Sequence, residues 1–153
     1  MTEYRWKKSN YKLMKGKWKI GILLEAGYQI VSVKDNLEKY IKLTDHIYFQ
    51  SMLLPYPYSQ PLSDAELIYF CDGITMVNKY ISLSAMKDTS LSIALRYIQF
   101  SECNIQKEAF TASAIQWASE MFQFSMPDIN AYFDSTRSID GMNGSYVFDF
   151  SGV

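Results

Sequence analysis

The stretch "LIYFCDGITMV" (residues 67–77) decides the fold class, because it supports two interpretations. Asp72-Gly73 separates two runs of β-branched and aromatic residues, and an Asp-Gly pair in that position is a strong signal for a β-hairpin. The same residues also follow helical spacing, with apolar side chains at Leu67, Phe70, Cys71, Ile74, Val77 and Ile81. Since a glycine inside a helix costs about 1 kcal/mol relative to alanine, we favour the hairpin.

Strands are predicted on both sides of this stretch. Residues 90–100, "SLSIALRYIQF", alternate in polarity and predict a third strand, which would complete a meander with the hairpin. Near the N-terminus, residues 17–24 place Trp18 and Ile20 on one face and Lys17 and Lys19 on the other. "EAGY" (25–28) is typical of a turn and residues 28–33 of a returning strand, so we predict an N-terminal hairpin. A strand around residues 11–14 has weaker support.

Helices are predicted at three places. Residues 36–44 combine apolar residues at helical spacing with a capping-box-like start at Asp35 and Glu38, whereas residues 44–54 suit helix and strand equally. Residues 105–122 carry a wide apolar stripe that follows a possible cap at Asn104. Residues 126–135 resemble a short helix that begins at Pro127.

Two further segments complete the predicted order of elements. "PYPYSQP" (55–61) predicts an extended surface loop, since three prolines remove hydrogen-bond donors, and "SYVFDF" (145–150) predicts a terminal strand. The predicted fold class is therefore α+β: an antiparallel β-sheet, made of the N-terminal hairpin and the central meander, with two or three helices packed on it. We expect a single domain over residues 1–153.

Composition excludes several classes of protein. The 153 residues are 48% hydrophobic and 20% charged, which is typical of a globular chain rather than a disordered one. Cys71 and Cys103 belong to no CxxC motif and lie in apolar runs, as buried thiols of a reducing cytosol do. No apolar segment typical of a signal peptide follows the first lysines, and no apolar run is long enough to span a membrane. We expect a cytoplasmic protein without a membrane partner.

Motifs for catalysis are missing from the sequence. The single histidine, His46, has no partner at metal-ligand spacing, and the chain contains no P-loop, GxSxG or GxGxxG motif. The remaining enzymatic alternatives are a Cys103–His46 dyad and the carboxylate pairs Glu102/Glu108 and Asp134/Asp140. We predict no catalytic residue, no cofactor and no metal.

The charge distribution is polarised along the chain. Residues 1–42 hold ten Lys and Arg against four Asp and Glu, a net charge of +6, whereas residues 43–153 carry −7. The acidic half supplies the residues that we expect to contact a partner: Glu102, Glu108, Glu120, Asp128, Asp134 and Asp140. We predict a non-enzymatic inhibitor or immunity protein that neutralises a cognate toxin, such as a basic nuclease, because complementary charge speeds encounter.

Two alternatives remain open. The basic aromatic N-terminal segment could serve a nucleic-acid-binding accessory protein through Arg5, Lys7, Lys8 and Lys12, which lie beside Tyr4, Trp6 and Tyr11. An adaptor similar to secretion chaperones in its order of elements could instead present a sheet edge or a groove to a peptide. The sequence leaves open whether the basic segment or the acidic half is the binding face.

Overall fold

Seven strands and three helices make up the part of the chain that the computed structural model describes, namely residues 3–16, 18–32, 38–82, 89–102, 105–139 and 142–153. The strands are β1 (Arg5–Leu13), β2 (Ile20–Ser32), β3 (Ile41–Lys42), β4 (Ile47–Ser51), β5 (Thr89–Phe100), β6 (Asn130–Ile139) and β7 (Met142–Asp149). The helices are α1 (Asp64–Met76), α2 (Asn78–Ser82) and α3 (Lys107–Phe122). The fold is α+β, as the sequence predicts.

The main sheet has five strands in the order β1-β2-β5-β4-β3, and it is mixed. β4 runs parallel to β5, with Ile47 beside Leu91, whereas the other three neighbouring pairs are antiparallel. The prediction of an antiparallel sheet is therefore wrong at this pair. α1 and α2 separate β4 from β5 in the chain, and such a helical crossover is what a parallel pair requires.

Residues 67–77 lie in or at the end of helix α1, so the hairpin interpretation is wrong and the helical one is confirmed. Ser63 begins the helix with a capping box: its Oγ accepts the Glu66 N–H at 3.2 Å, and Glu66 Oε1 accepts the Ser63 N–H at 2.8 Å. Gly73 lies where α1 meets α3, and a Cβ there would come within 2.4 Å of the Thr111 carbonyl oxygen. The glycine thus permits close helix packing instead of a turn.

The predicted turn at residues 25–28 is also wrong, because β2 runs through it as one strand of thirteen residues. The partner of β2 is β1, which precedes it and extends well beyond the weakly predicted strand at residues 11–14. A β-bulge lies opposite Glu25 and Ala26, where Arg96 is the extra residue of β5.

Two predicted helices are strands or turns instead. Residues 38–40 form a turn and lead into β3, while residues 33–37, including Asp35, lie outside the described residues. Residues 47–51, in the ambiguous region, form β4. Beyond Pro127 the chain forms β6, which pairs with β7 in a second, two-stranded sheet. In both places, pairing with the next strand along the chain overrides the local helix signal.

Three elements match their predictions. β5 covers residues 90–100, β7 covers most of 145–150, and α3 covers most of 105–122. Asn104, the predicted cap, lies outside the described residues, and Gln106 occupies the N-cap without a capping hydrogen bond from its side chain. That side chain instead pairs with the backbone of Tyr146 in β7, at 2.7 and 2.9 Å.

The core lies between one face of the main sheet and the helices α1 and α3. Phe49 of β4 meets Phe70 of α1 at a ring-centroid distance of 5.8 Å, and the Trp117 Nε1–H of α3 donates to the Ala26 carbonyl of β2 at 3.1 Å. Strand alternation turns Ile22 and Leu24 to the same side, where both are fully buried. We call the opposite side, which neither helix covers, the open face.

Candidate functional site

Strand β1 divides the basic N-terminal segment between the two faces of the sheet. Ser9, Tyr11 and Leu13 point to the helices and are buried, whereas Lys8 and Lys12 alternate with them and are exposed on the open face. Trp6 belongs to the open face, and Arg5 and Lys7 belong to the helix side. The four cations of the predicted nucleic-acid segment therefore do not form one continuous patch.

An aromatic–cation stack closes one half of the open face. The Tyr4 and Trp6 rings stack with centroids 5.1 Å apart, and Arg96 Cζ lies 4.0 Å from the Trp6 centroid. Arg96 Nε and Nη2 both donate to Glu25 Oε1, at 2.9 and 2.7 Å. The β-bulge explains why the Arg96 side chain lies over Trp6, since the extra residue interrupts the alternation of side chains along β5.

The Trp6 ring rests on the backbone of β2. A Cβ at Gly27 would come within 2.7 Å of Trp6 Cε3, so this glycine makes room for the ring. Tyr4 continues the layer across the sheet, because its hydroxyl lies 2.7 Å from Ser92 Oγ of β5. Burial raises the pKa of the Tyr4 phenol above its ordinary value. This half of the open face is filled by the chain itself.

The other half of the open face contains a depression of about 560 Å³, which we call the Gly21 concavity. A Cβ built at Gly21 would have no heavy atom within 4 Å, so the floor is bare strand backbone. Lys12, the direct cross-strand partner of Gly21, and Lys19 line one side. Tyr56 and Pro57 line the opposite side.

The proline-rich loop of residues 55–61 forms a fixed wall of this concavity. The Gln60 N–H donates to the Ile98 carbonyl at 3.0 Å, and the Ile98 N–H donates to Ser59 Oγ at 3.1 Å. Gln60 Oε1 also accepts the N–H of Phe100. The loop is thereby attached to β5, although Tyr56 at its tip is 79% exposed. The predicted surface loop is confirmed.

The acidic residues expected to bind a partner are spread over the molecule. Glu102 and Glu108 line one cleft of about 350 Å³, together with Glu66. Glu120 lies near the other end of α3, about 18 Å further along the helix axis at 1.5 Å per residue. There it accepts a hydrogen bond from the Ser9 hydroxyl. The structure therefore brings Glu102 and Glu108 together but does not add Glu120 to them.

The remaining acidic candidates lie toward the C-terminus. Asp128 precedes β6, and Asp134 lies within it. Asp134 accepts hydrogen bonds from the Thr136 hydroxyl at 2.6 Å and the Thr136 N–H at 2.9 Å, which together lower the pKa of its carboxyl. Asp140 lies outside the described residues. Asp134 is thus engaged in a local turn rather than gathered into an acidic cluster.

The residues considered for chemistry are separated or buried. His46 is exposed, and Cys71 lies on the buried side of α1, where desolvation raises the pKa of its thiol to about 12. Cys103 lies outside the described residues. Within the described ranges, no three His, Cys, Asp or Glu side chains lie close enough to bind a metal ion. No helix in that same part of the chain has the length and hydrophobicity needed to cross a membrane.

Comparisons with known proteins assign no family to this chain. No protein-family model matches it, and no curated protein or solved structure matches it significantly. The candidate site therefore depends on geometry alone. Sequence reasoning placed Lys19 on the outer face of its strand correctly, but it did not bring Lys19 together with Lys12, Gly21 and Tyr56. One signal was present, since Gly21 interrupts the apolar run of residues 20–24.

Proposed function

We propose that this chain is a non-enzymatic binding protein that holds another protein against its open face, as an inhibitor or immunity protein holds a toxin. The observation that supports this function is the Gly21 concavity, a depression on a sheet face that the helices leave uncovered. Its floor is strand backbone and its wall is a hydrogen-bonded loop, so little ordering is needed when a partner binds. A cognate toxin fits because an inhibitor that covers another protein's site needs a preformed surface and no catalytic residue of its own.

The charge of the open face favours an acidic patch on the partner. Lys8, Lys12 and Lys19 are exposed there, while the nearby Glu25 is already paired with Arg96. Complementary charge accelerates the encounter of two proteins and disfavours wrong partners. The basic nuclease that we predicted from the sequence would instead use the cleft of Glu102 and Glu108. We favour the open face because the acidic candidates are spread from the start of α3 to β6 and form no single patch among the described residues.

Nucleic-acid binding is the second candidate function, and the three lysines with the exposed ring of Tyr56 favour it. The Trp6 ring, however, packs on the backbone at Gly27 and is covered by Arg96. A base stacks only on an aromatic face that is free, so Trp6 contributes little to such a site. A protein partner therefore agrees better with the open face.

The test is a co-purification from extracts of the encoding organism, with and without nuclease treatment. We compare wild type with an open-face variant, K8S/K12S/K19S, and with a matched control that removes three exposed lysines elsewhere, K42S/K79S/K107S. We expect one stoichiometric protein that binds wild type and control alike and binds the open-face variant about tenfold more weakly, since each exposed ion pair contributes up to about 1 kcal/mol.

Other outcomes contradict this assignment in distinct ways. A partner that binds the open-face variant normally but is lost from the variant E102Q/E108Q would assign binding to the acidic cleft. Recovery of nucleic acid, released steeply by salt, would favour the second candidate function.

A further inference from the structure

We infer that the Gly21 concavity receives a carboxylate held beside an apolar side chain, and that this pair anchors the partner protein. The inference rests on the proposed function and specifies the chemistry that the open face recognises. Its support comes from the glycine floor, the two lysines and the apolar wall.

Gly21 is a glycine that the fold itself does not require. Its φ lies outside the left-handed region, so its backbone conformation is open to other residues, and no neighbouring atom would contact a Cβ. Gly21 is the second residue of β2, and a glycine within a strand weakens the strand and often marks close approach by another group. Since no atom of the described chain approaches this position, the space fits a group that comes from outside.

Gly27, six residues further along β2 and on the same face, shows how such a space is used. There the Trp6 ring occupies the room that a Cβ would take, and it lies against the strand backbone. Strand β2 therefore has two glycine positions on the open face, one of which the chain fills with its own side chain. The flat surface at Gly21 is equally accessible to an apolar group of a partner.

The lysines of the concavity define the polar part of the ligand. Lys12 lies directly opposite Gly21, and Lys19, which immediately precedes β2, lines the same concavity. Neither forms an ion pair with any residue that the structure describes, and no Asp or Glu lines the concavity. Two ammonium groups beside an acidic partner form charge-assisted hydrogen bonds with a carboxylate.

The rest of the lining defines the apolar part of the ligand. Leu23 continues the floor along β2, while Tyr56 and Pro57 form the opposite side. The volume of about 560 Å³ lies in the range of small-ligand sites, so it admits a short part of a polypeptide rather than a whole helix. The lining thus fits an acidic group next to an aliphatic or aromatic one.

The experiment follows backbone amide signals of the ¹⁵N-labelled full chain during peptide titration. The first probe is a seven-residue peptide, capped at both ends, in which two glutamates flank a phenylalanine. Its counterparts replace both glutamates by glutamine or the phenylalanine by alanine. A further peptide has no glutamate and ends on phenylalanine with a free carboxylate, which distinguishes a side-chain carboxylate from a chain end.

We expect the signals of Lys12, Gly21 and Gln99 to shift with the glutamate peptide or with the free-carboxylate peptide. The glutamine and alanine counterparts should bind about tenfold more weakly, since each lacks one of the two recognised groups. Equal binding of the glutamine peptide, absence of shifts with both carboxylate peptides, or stronger binding of a thymidine oligonucleotide would each overturn the inference.

The variant Gly21→Val provides the matching test on the protein side. Valine favours strands and its Cβ has no heavy atom within 4 Å here, so thermal stability should not fall, while peptide affinity should fall about tenfold because the floor is filled. Unchanged peptide affinity in this variant contradicts the inference. If the cellular partner binds Gly21→Val normally but not K8S/K12S/K19S, the inference fails while the proposed function stands.

Discussion

The two faces of the five-stranded sheet are built from the same strands but differ in what completes them. On the helix side, Ile22, Leu24 and Ile93 are fully buried beneath α1 and α3. On the open face, Tyr4 and Trp6 cover one half, and no other described residue covers the floor at Gly21 in the other half. The alternation that supplies a core on one side therefore leaves a recognition surface on the other. We expect stability to depend on the first face and binding on the second.

The strongest contrast should come from removing one tryptophan on each face. Trp117→Ala leaves a cavity at a side chain with 0% exposure and an unpaired carbonyl at Ala26, so the free energy of unfolding should fall by about 3–5 kcal/mol. Trp6→Ala removes a partly exposed ring and should cost about 1–2 kcal/mol. Urea unfolding monitored by circular dichroism measures both values. Equal losses would show that the open face also carries part of the core.

A second contrast concerns alkaline pH, because β1 turns Tyr11 to the helix side. Burial, with a smaller effect from Tyr146, raises the pKa of the Tyr11 phenol from 10.0 to about 12. The folded state therefore disfavours the ionised form: the stability is complete below pH 10 and is lost as pH rises toward 12, at about 1.4 kcal/mol per unit. The buried Cys71 thiol, with its pKa raised from 9.0 to about 12, acts in the same direction from about pH 9.

The measurement is the free energy of unfolding at a series of alkaline pH values. Tyr11→Phe should flatten the decline between about pH 10 and 12 by up to about 3 kcal/mol, and Cys71→Ala should flatten it from a lower pH. An unchanged profile in Tyr11→Phe would mean that Tyr11 is accessible to water and that the packing of β1 against α3 is wrong.

The third contrast uses one substitution at two glycines. Gly73→Ala forces a Cβ against the Thr111 carbonyl and the Ala114 side chain, at 2.4 and 2.8 Å, so it should destabilise by about 1–3 kcal/mol despite the better helix propensity of alanine. In Gly21→Ala the new Cβ has no heavy atom within 4 Å, so the free energy of unfolding should change by less than about 0.5 kcal/mol. Thermal unfolding of the two variants beside wild type tests the pair. A loss at Gly21 as large as at Gly73 would mean that the Gly21 concavity is filled in solution.

The helix side was more predictable from sequence than the open face. The apolar stripe of α3 and the alternation of β5 have periods that only one element type satisfies, and both predictions are confirmed. The sequence contains Gly73 and Gly27 but does not show which distant residues pack against them. Gly73 packs against α3 and Gly27 against the Trp6 ring, but in the local sequence each resembles a turn residue. A hairpin and a turn were therefore predicted there.

The candidate site could not be predicted because its parts are far apart in the chain. Lys12 and Gly21 face each other only through the pairing of β1 with β2, and Tyr56 joins them only because its loop binds to β5. Charge counts along the sequence indicated a basic N-terminal half, but the period of the strand decides which lysines share a face. The acidic candidates show the same limit. Together they make the C-terminal half of the sequence negative, but the structure does not place them beside one another.

The position of β5 in the sheet also determines the order in which the protein can assemble. β5 pairs with β2 on one edge and with β4 on the other, yet it follows both in the chain and is separated from β2 by α1 and α2. Translation proceeds at about 5–20 residues per second, so β5 is synthesised several seconds after β2, and β2 lacks this partner during that interval. The first two strands emerge as a two-stranded ribbon with two free edges, and in that interval the exposed lysines of β1 discourage pairing with another nascent chain along the β1 edge.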